Sequence, residues 1–105
     1  MAEFKNIDVM ELQTLLAQGS VRMVDVRTDA EIAQGYIQGA DKLPLHLLPL
    51  RLHEFDKAGL TVFYCRVGAR SAQAAAFAAA QGFTAACNLQ GGIVAWAQAG
   101  LPLKA

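Results

Sequence analysis

Cys65-Arg66-Val67-Gly68-Ala69-Arg70-Ser71 brings a nucleophile, two cations and a glycine within seven residues. Arg66 and Arg70 are the only Lys, Arg, Asp or Glu among the 46 residues from 58 to 103. A cysteine attacks as its thiolate, and adjacent positive charge favours that form. Gly68 allows a tight turn, and the N–H groups around such a turn can point into one concavity. A helix starting there adds about half a positive charge at its N-terminus. The combination suits a sulfur that works as an anion and meets anionic substrates. A lone cysteine at a strand end is more often apolar filler. Two arginines, a glycine and a strand-to-helix junction shift the balance to catalysis.

Leu60-Thr61-Val62-Phe63-Tyr64, just before Cys65, reads as a strand buried on both faces. The alanine-rich segment from Arg70 to Gln81 reads as a closely packing helix ended by Gly82. Upstream, Asp8 and Glu11 form a capping box for a helix with Val9, Leu12, Leu15 and Leu16 on one stripe, stopped by Gly19. Val21 to Arg27 is a second strand. Thr28 and Glu31 then cap a short helix that Gly35 should end. A short strand is expected over 40–45. Leu50, Leu52 and Phe55 predict a helical piece with Pro49 near its first turn. Thr84 to Leu89 is the next strand, and a final helical turn follows Gly91-Gly92 through Ile93, Val94 and Trp96. Alternating strands and helices predict an α/β fold with a parallel sheet. In such sheets ligands bind beyond the carboxyl ends of the strands, where Cys65 falls.

A chain of 105 residues, 54% apolar and 17% charged, predicts one domain over 1–105. Nine acidic and nine basic residues cancel, so no global field recruits nucleic acid or an anionic membrane. The first residues show no basic segment followed by an apolar run, and no tract reaches the ~20 apolar residues of a membrane span. The expectation is a cytoplasmic protein, monomeric by default, with two reduced cysteines.

The run Cys65 to Ser71 fits Cys-x-x-Gly-x-Arg-Ser, the active-site loop of the rhodanese family, and the whole chain resembles a single-domain rhodanese. Asp25-Val26-Arg27, Glu31 and Gly35 to Ala40 resemble that family's upstream signature. Leu89 to Trp96 and Ala99 to Pro102 resemble its C-terminal one. Tyr36 and Gln38 stand where the family commonly has His and Pro, in a connecting turn. The resemblance implies a five-stranded parallel sheet with helices on both faces. It implies a sulfurtransferase in which Cys65 takes the outer sulfur of thiosulfate or a persulfide and passes it to a thiol or to cyanide. The amides from Val67 to Ser71, Gly68 and Ala69 among them, would cradle that sulfur. Arg66 and Arg70 would bind the donor's anionic end. The expected partners are a small anionic sulfur donor and a thiol acceptor, such as a thioredoxin-like or other sulfur-accepting protein, with no cofactor.

Two other functions compete. Phosphatases on the same fold use Cys-x5-Arg, whereas Cys65 and Arg70 are spaced Cys-x4-Arg, a tighter loop that fits a sulfur atom better than a phosphate; phosphatase or arsenate reductase activity ranks below sulfur transfer. A binding or regulatory module of this type typically lacks the loop cysteine, which is present here. Cys87 is a candidate resolving thiol but reads better as a small strand residue. His46 and His53 have no further ligand at metal spacing. Asp25 and Arg27 could orient the active loop, but are read first as loop bracing or as an internal ion pair with Glu31. Trp96 is a core anchor, Tyr64 a sheet residue, and Gly91-Gly92 no phosphate fingerprint.

Overall fold

Branched and aromatic residues make the two central strands, and the sheet extends outward from them. The computed structural model describes residues 3–105. Its strands are β1 (Lys5–Ile7), β2 (Val21–Asp25), β3 (Asp41–Lys42), β4 (Leu60–Tyr64) and β5 (Ala85–Leu89). Its α-helices are α1 (Val9–Gln18), α2 (Asp29–Ile32), α3 (Leu48–Arg51), α4 (Ala69–Ala80) and α5 (Gly92–Gln98). The five strands pair in the order β1-β5-β4-β2-β3, every pair parallel.

Side chains alternate across this sheet and build a core on each face. Val24, Phe63, Cys65 and Ala86 meet Ala74, Ala75 and Ala78 of α4 on one face. Met23, Val62, Tyr64, Cys87 and Leu89 meet Leu12 of α1 and Ile93 and Trp96 of α5 on the other. Helices thus cover both faces. Each Val, Leu, Ile, Phe or Met among them, when fully buried, contributes roughly 1.5–3 kcal/mol of transfer free energy. Alanine is small enough to bring α4 close to the sheet, so the strand ends beneath it are nearly sealed from water. Ser71, Ala74, Ala75 and Ala78 form one helical stripe, all buried. The stripe carries the Ser71 hydroxyl inward.

Both capping boxes are formed. The Glu11 amide donates to Asp8 Oδ1 at 2.8 Å and the Glu31 amide to Thr28 Oγ1 at 3.2 Å, with each glutamate accepting in return from its cap residue's amide. Gly19 closes α1 in the left-handed conformation at φ 80°.

Three segments differ from the expected pattern. The strand expected over 40–45 is reduced to Asp41–Lys42, an edge strand whose neighbours Leu43 and Leu45 instead donate to the β2 side at Asp25 and Val26. The helical piece expected near Pro49 is a single α-turn, α3, between two 3₁₀ turns over Leu45–Leu47 and Leu52–Glu54. β1 has only three residues and is held by its pairing with β5, Asn6 standing opposite Asn88. Tyr36, where the family commonly has His, makes an antiparallel bridge to Lys104, with 2.8 Å bonds in both directions. The Lys42 ammonium covers its ring at 4.0 Å. Among the described residues no helix is long and apolar enough to cross a membrane.

Candidate active site

β4 ends at Tyr64, and four residues later α4 begins. Gly68 makes the turn at φ 112°, a conformation that L side chains rarely adopt. Its N–H points back at Cys65 Sγ, 3.1 Å away. The Ser71 N–H reaches the same sulfur at 3.4 Å, and Ser71 Oγ lies 3.3 Å from it. The sulfur therefore sits at the N-terminus of a three-turn helix, where N–H groups lack intrahelical acceptors. Among the described residues no carbonyl accepts from the amides of Ala69 and Arg70, while the Val67 amide acts on the Cys65 sulfur.

Cys65 is only 1% exposed. Burial pushes its thiol up, but the Ser71 hydroxyl and the Ser71, Gly68 and Val67 amides more than offset it, so its pKa lies below the ordinary value. Cys87 is the internal comparison. It too is buried, at 4%, yet burial raises its pKa, helped by Glu11 and opposed by Lys5. The donors around the sulfur separate the two thiols. Cys87 also faces the other side of the sheet, opposite Val62, so no disulfide can join it to Cys65 without rebuilding β5.

The two loop arginines part company. Arg70 is clamped by Glu31, its two terminal nitrogens donating to the two carboxylate oxygens at 2.6 and 2.9 Å. The Arg70 guanidinium, with the Thr28 cap, holds the Glu31 carboxyl down at about 2 against the opposing effect of burial. One glutamate thus caps α2 and anchors the start of α4. Arg66 is exposed and, among the described residues, enters no ion pair. Of the two expectations for Arg27, bracing holds and the ion pair with the Glu31 carboxylate is corrected. Arg27 forms a buried fork with Asp25 at 2.6–3.1 Å and donates to the carbonyls of Glu31 and Gly35, while the Glu31 carboxylate belongs to Arg70. Arg27 so braces the end of β2 against α2, and Tyr64 accepts from the Ile37 amide at 3.0 Å in the same layer.

α5 was not foreseen as part of this site. The Ile93 amide donates to the Cys65 carbonyl at 2.9 Å and the Val94 amide to the Arg66 carbonyl at 3.1 Å. A side chain at Gly92 would place its Cβ 2.5 Å from both carbonyl oxygens. The glycine pair at 91–92 is the sequence signal for this close approach. Asn88 was also missed. It is a polar residue in the apolar strand Ala85–Leu89, only 4% exposed, and its Oδ1 accepts from Ser71 Oγ at 2.5 Å. Trp96 is buried, its indole N–H donating to the Pro102 carbonyl at 2.9 Å. His46 and His53 lie in the two 3₁₀ turns, and no cluster of three or more His, Cys, Asp or Glu occurs among the described residues. Beside the loop a cavity of about 270 Å³ opens, lined by Arg66, Arg27, Glu31, Val94, Ala97 and Leu103, among others.

A strand-loop-helix that wraps a buried cysteine in amides at the end of a five-stranded parallel sheet defines a class, and comparison with known proteins names it. The family model of the rhodanese-like domain matches residues 8–99, and the chain belongs to that family. It is 52% identical over 93 residues to a sulfurtransferase of Allochromatium vinosum, covering 89% of this chain and 87% of that one. It is 38% identical over 96 residues to the thiosulfate sulfurtransferase GlpE of Pseudomonas fluorescens, covering 91% and 87%. A rhodanese-like domain protein of Staphylococcus aureus superposes with a TM-score of 0.85 at 38% identity, over 97% of this chain and all of that one. Family, fold and relatives agree on a sulfurtransferase of the rhodanese type.

Proposed function

We propose that this protein moves a sulfane sulfur from thiosulfate or a small persulfide to a thiol, and that Cys65 carries the sulfur between them. The observation that carries the reading is the convergence of the Gly68 amide, the Ser71 amide and the Ser71 hydroxyl on one sulfur. Those donors favour the thiolate. In the first half-reaction the Cys65 thiolate attacks the outer sulfur of thiosulfate. The S–S bond of the donor breaks, sulfite leaves with the bonding pair, and Cys65 becomes an anionic persulfide. In the second half, the sulfur of an acceptor thiol attacks the outer sulfur. Its proton ends on the transferred sulfur, and the bonding pair returns to Cys65 as thiolate. Two modest barriers replace one large one.

The amides of Ala69 and Arg70 are free to receive the outer sulfur, while Val67, Gly68 and Ser71 serve the inner one. Arg66, exposed at the cavity rim, binds the donor's anionic end. Arg70 adds positive potential, but its hydrogen bonds go to Glu31, so its larger part is to fix the loop. A thioredoxin-like or other sulfur-accepting protein delivers its thiol through the same mouth.

Intact mass after incubation with thiosulfate tests this. One added sulfur is expected on the wild type and none on Cys65→Ser. A wild type that stays unmodified by both thiosulfate and a glutathione persulfide would favour a binding module instead.

A further inference from the structure

The active sulfur ends a chain of polar contacts that runs through the sheet to its edge. Asn88 Nδ2 donates to Asn6 Oδ1 at 3.0 Å, which leaves Asn88 Oδ1 turned toward Ser71. Ser71 Oγ lies 2.5 Å from that oxygen and 3.3 Å from Cys65 Sγ. A hydroxyl has one hydrogen. It cannot serve both acceptors at once, and the shorter contact marks where it rests: on Asn88.

We propose that Asn88 is a positioning residue that holds the Ser71 hydrogen when the Cys65 sulfur is neutral and releases it when that sulfur becomes charged. The proposal deepens the persulfide reading of Cys65 and rests on it. In the persulfide the negative charge sits on the outer sulfur, Sγ is bonded on both sides, and the hydroxyl points to Asn88. When the acceptor takes the outer sulfur, the Sγ–S bond breaks and its electron pair returns to Sγ. The hydroxyl then rotates and donates to the leaving thiolate, while Asn88 Oδ1 gives up its donor. No proton is transferred in this rotation. Asn6 sets the polarity of the device, since its carbonyl oxygen pins the Asn88 amide with the oxygen facing Ser71.

The placement follows from two periodicities. Ser71 heads the buried stripe of α4, and Asn88 faces the same side of the sheet as Phe63 and Cys65. The charged and titratable groups around the sulfur are Arg66 and Arg70 of the loop and helix, Glu31 on Arg70, Asp25 and Arg27 at the end of the neighbouring β2, and Tyr64 at the end of β4 itself. α5 brings none, and Cys87 of β5 faces away.

The test is the pH midpoint of Cys65 alkylation by iodoacetamide, followed by peptide mass so that Cys87 is counted apart. It needs no sulfur transfer, so its failure is distinct from failure of the persulfide reading. With Asn88→Ala the hydroxyl has only the sulfur to serve, and the midpoint falls by about one pH unit, the scale of one hydrogen bond to a charged group. Asn6→Ala, an exposed change that leaves the core intact, frees the Asn88 amide to turn its N–H toward Ser71 and lowers the midpoint in the same direction. Ser71→Ala raises the midpoint by itself. In a Ser71→Ala background neither asparagine change moves it further. A role in packing alone predicts no midpoint shift, or the same shift with and without the hydroxyl, and either result overturns the proposal. Should Asn88→Ala fail to fold, Asn6→Ala decides the question.

Discussion

Gly92→Ala isolates what α5 does for the loop. Gly92 has φ 58°, and a Cβ there meets the Cys65 and Arg66 carbonyl oxygens at 2.5 Å. Ordinary contact begins near 3.4 Å, so the first turn of α5 must retreat by roughly 0.9 Å or push the loop by as much. The Ile93 amide would move from 2.9 Å to roughly 3.8 Å of its carbonyl, beyond hydrogen-bond range, and Val94 likewise. The left-handed backbone costs about 1–2 kcal/mol with a side chain, and the two lost bonds about 1 kcal/mol each. A total of roughly 3–4 kcal/mol lowers the melting temperature by on the order of 12–30 °C for a domain of this size. Displacing the nucleophile by about 1 Å costs about 100-fold in rate. Thermal melts followed by circular dichroism, with thiosulfate-to-cyanide transfer measured well below the new melting point, read both numbers. A variant that melts within about 3 °C of wild type and transfers sulfur at an unchanged rate refutes the claim that α5 seats the loop.

Two further outcomes follow from the electrostatics. Because Arg70 holds the Glu31 pKa down at about 2 from 4.5, the ion pair stabilises the fold in full above pH 4.5, and that stabilisation fades as pH falls toward 2. Glu31→Gln should therefore be less stable than wild type to urea at pH 7, with the gap closing by pH 2; a gap that is constant across this range contradicts the pairing. The Cys65 thiol lies below its ordinary 9.0, so the rate of persulfide formation from thiosulfate should rise with pH and level off at a midpoint under 9; a midpoint at or above 9 contradicts the donor ring.

Helix starts, the strands β2 and β4 and the loop around Cys65 were legible because each is signalled within a few residues. Asp8 to Glu11 and Thr28 to Glu31 are complete local motifs, and Leu60 to Tyr64 can only be a buried strand or part of a buried helix. β1 was not legible from pattern: three residues, two of them exposed, carry no period, and the strand exists because β5 offers an edge. Over 40–54 the strand and the helical piece with Pro49 in its first turn are present, but shorter than expected, for a related reason. Their apolar side chains are spaced irregularly, and packing against α4 and β2 decides the backbone. The Glu31–Arg70 clamp spans 39 positions and the Asn6–Asn88 bond 82, so no spacing rule could propose them. Glu31 was read as a cap, which it is; its second duty needed the fold.

The arginines beside Cys65 pointed to this sulfur for a reason the structure redistributes. In sequence they look like the source of the thiolate. In the folded chain Arg70 spends its donors on Glu31, Arg66 stands in solvent, and the groups that lower the thiol are the Ser71 hydroxyl and main-chain N–H groups. That division has a functional logic. Hydrogen bonds at 3.1–3.4 Å act on the sulfur they touch and are hardly screened by salt, so they can hold a buried thiolate without immobilising the substrate. A guanidinium against the sulfur would neutralise it and weaken the attack. In the proposed reaction Arg66, kept at the rim, would attract an anionic donor from solution and let sulfite depart once the S–S bond has broken. The proposed transfer thus uses both kinds of positive group, fixed dipoles at the sulfur that would react and an exposed charge where substrate would enter.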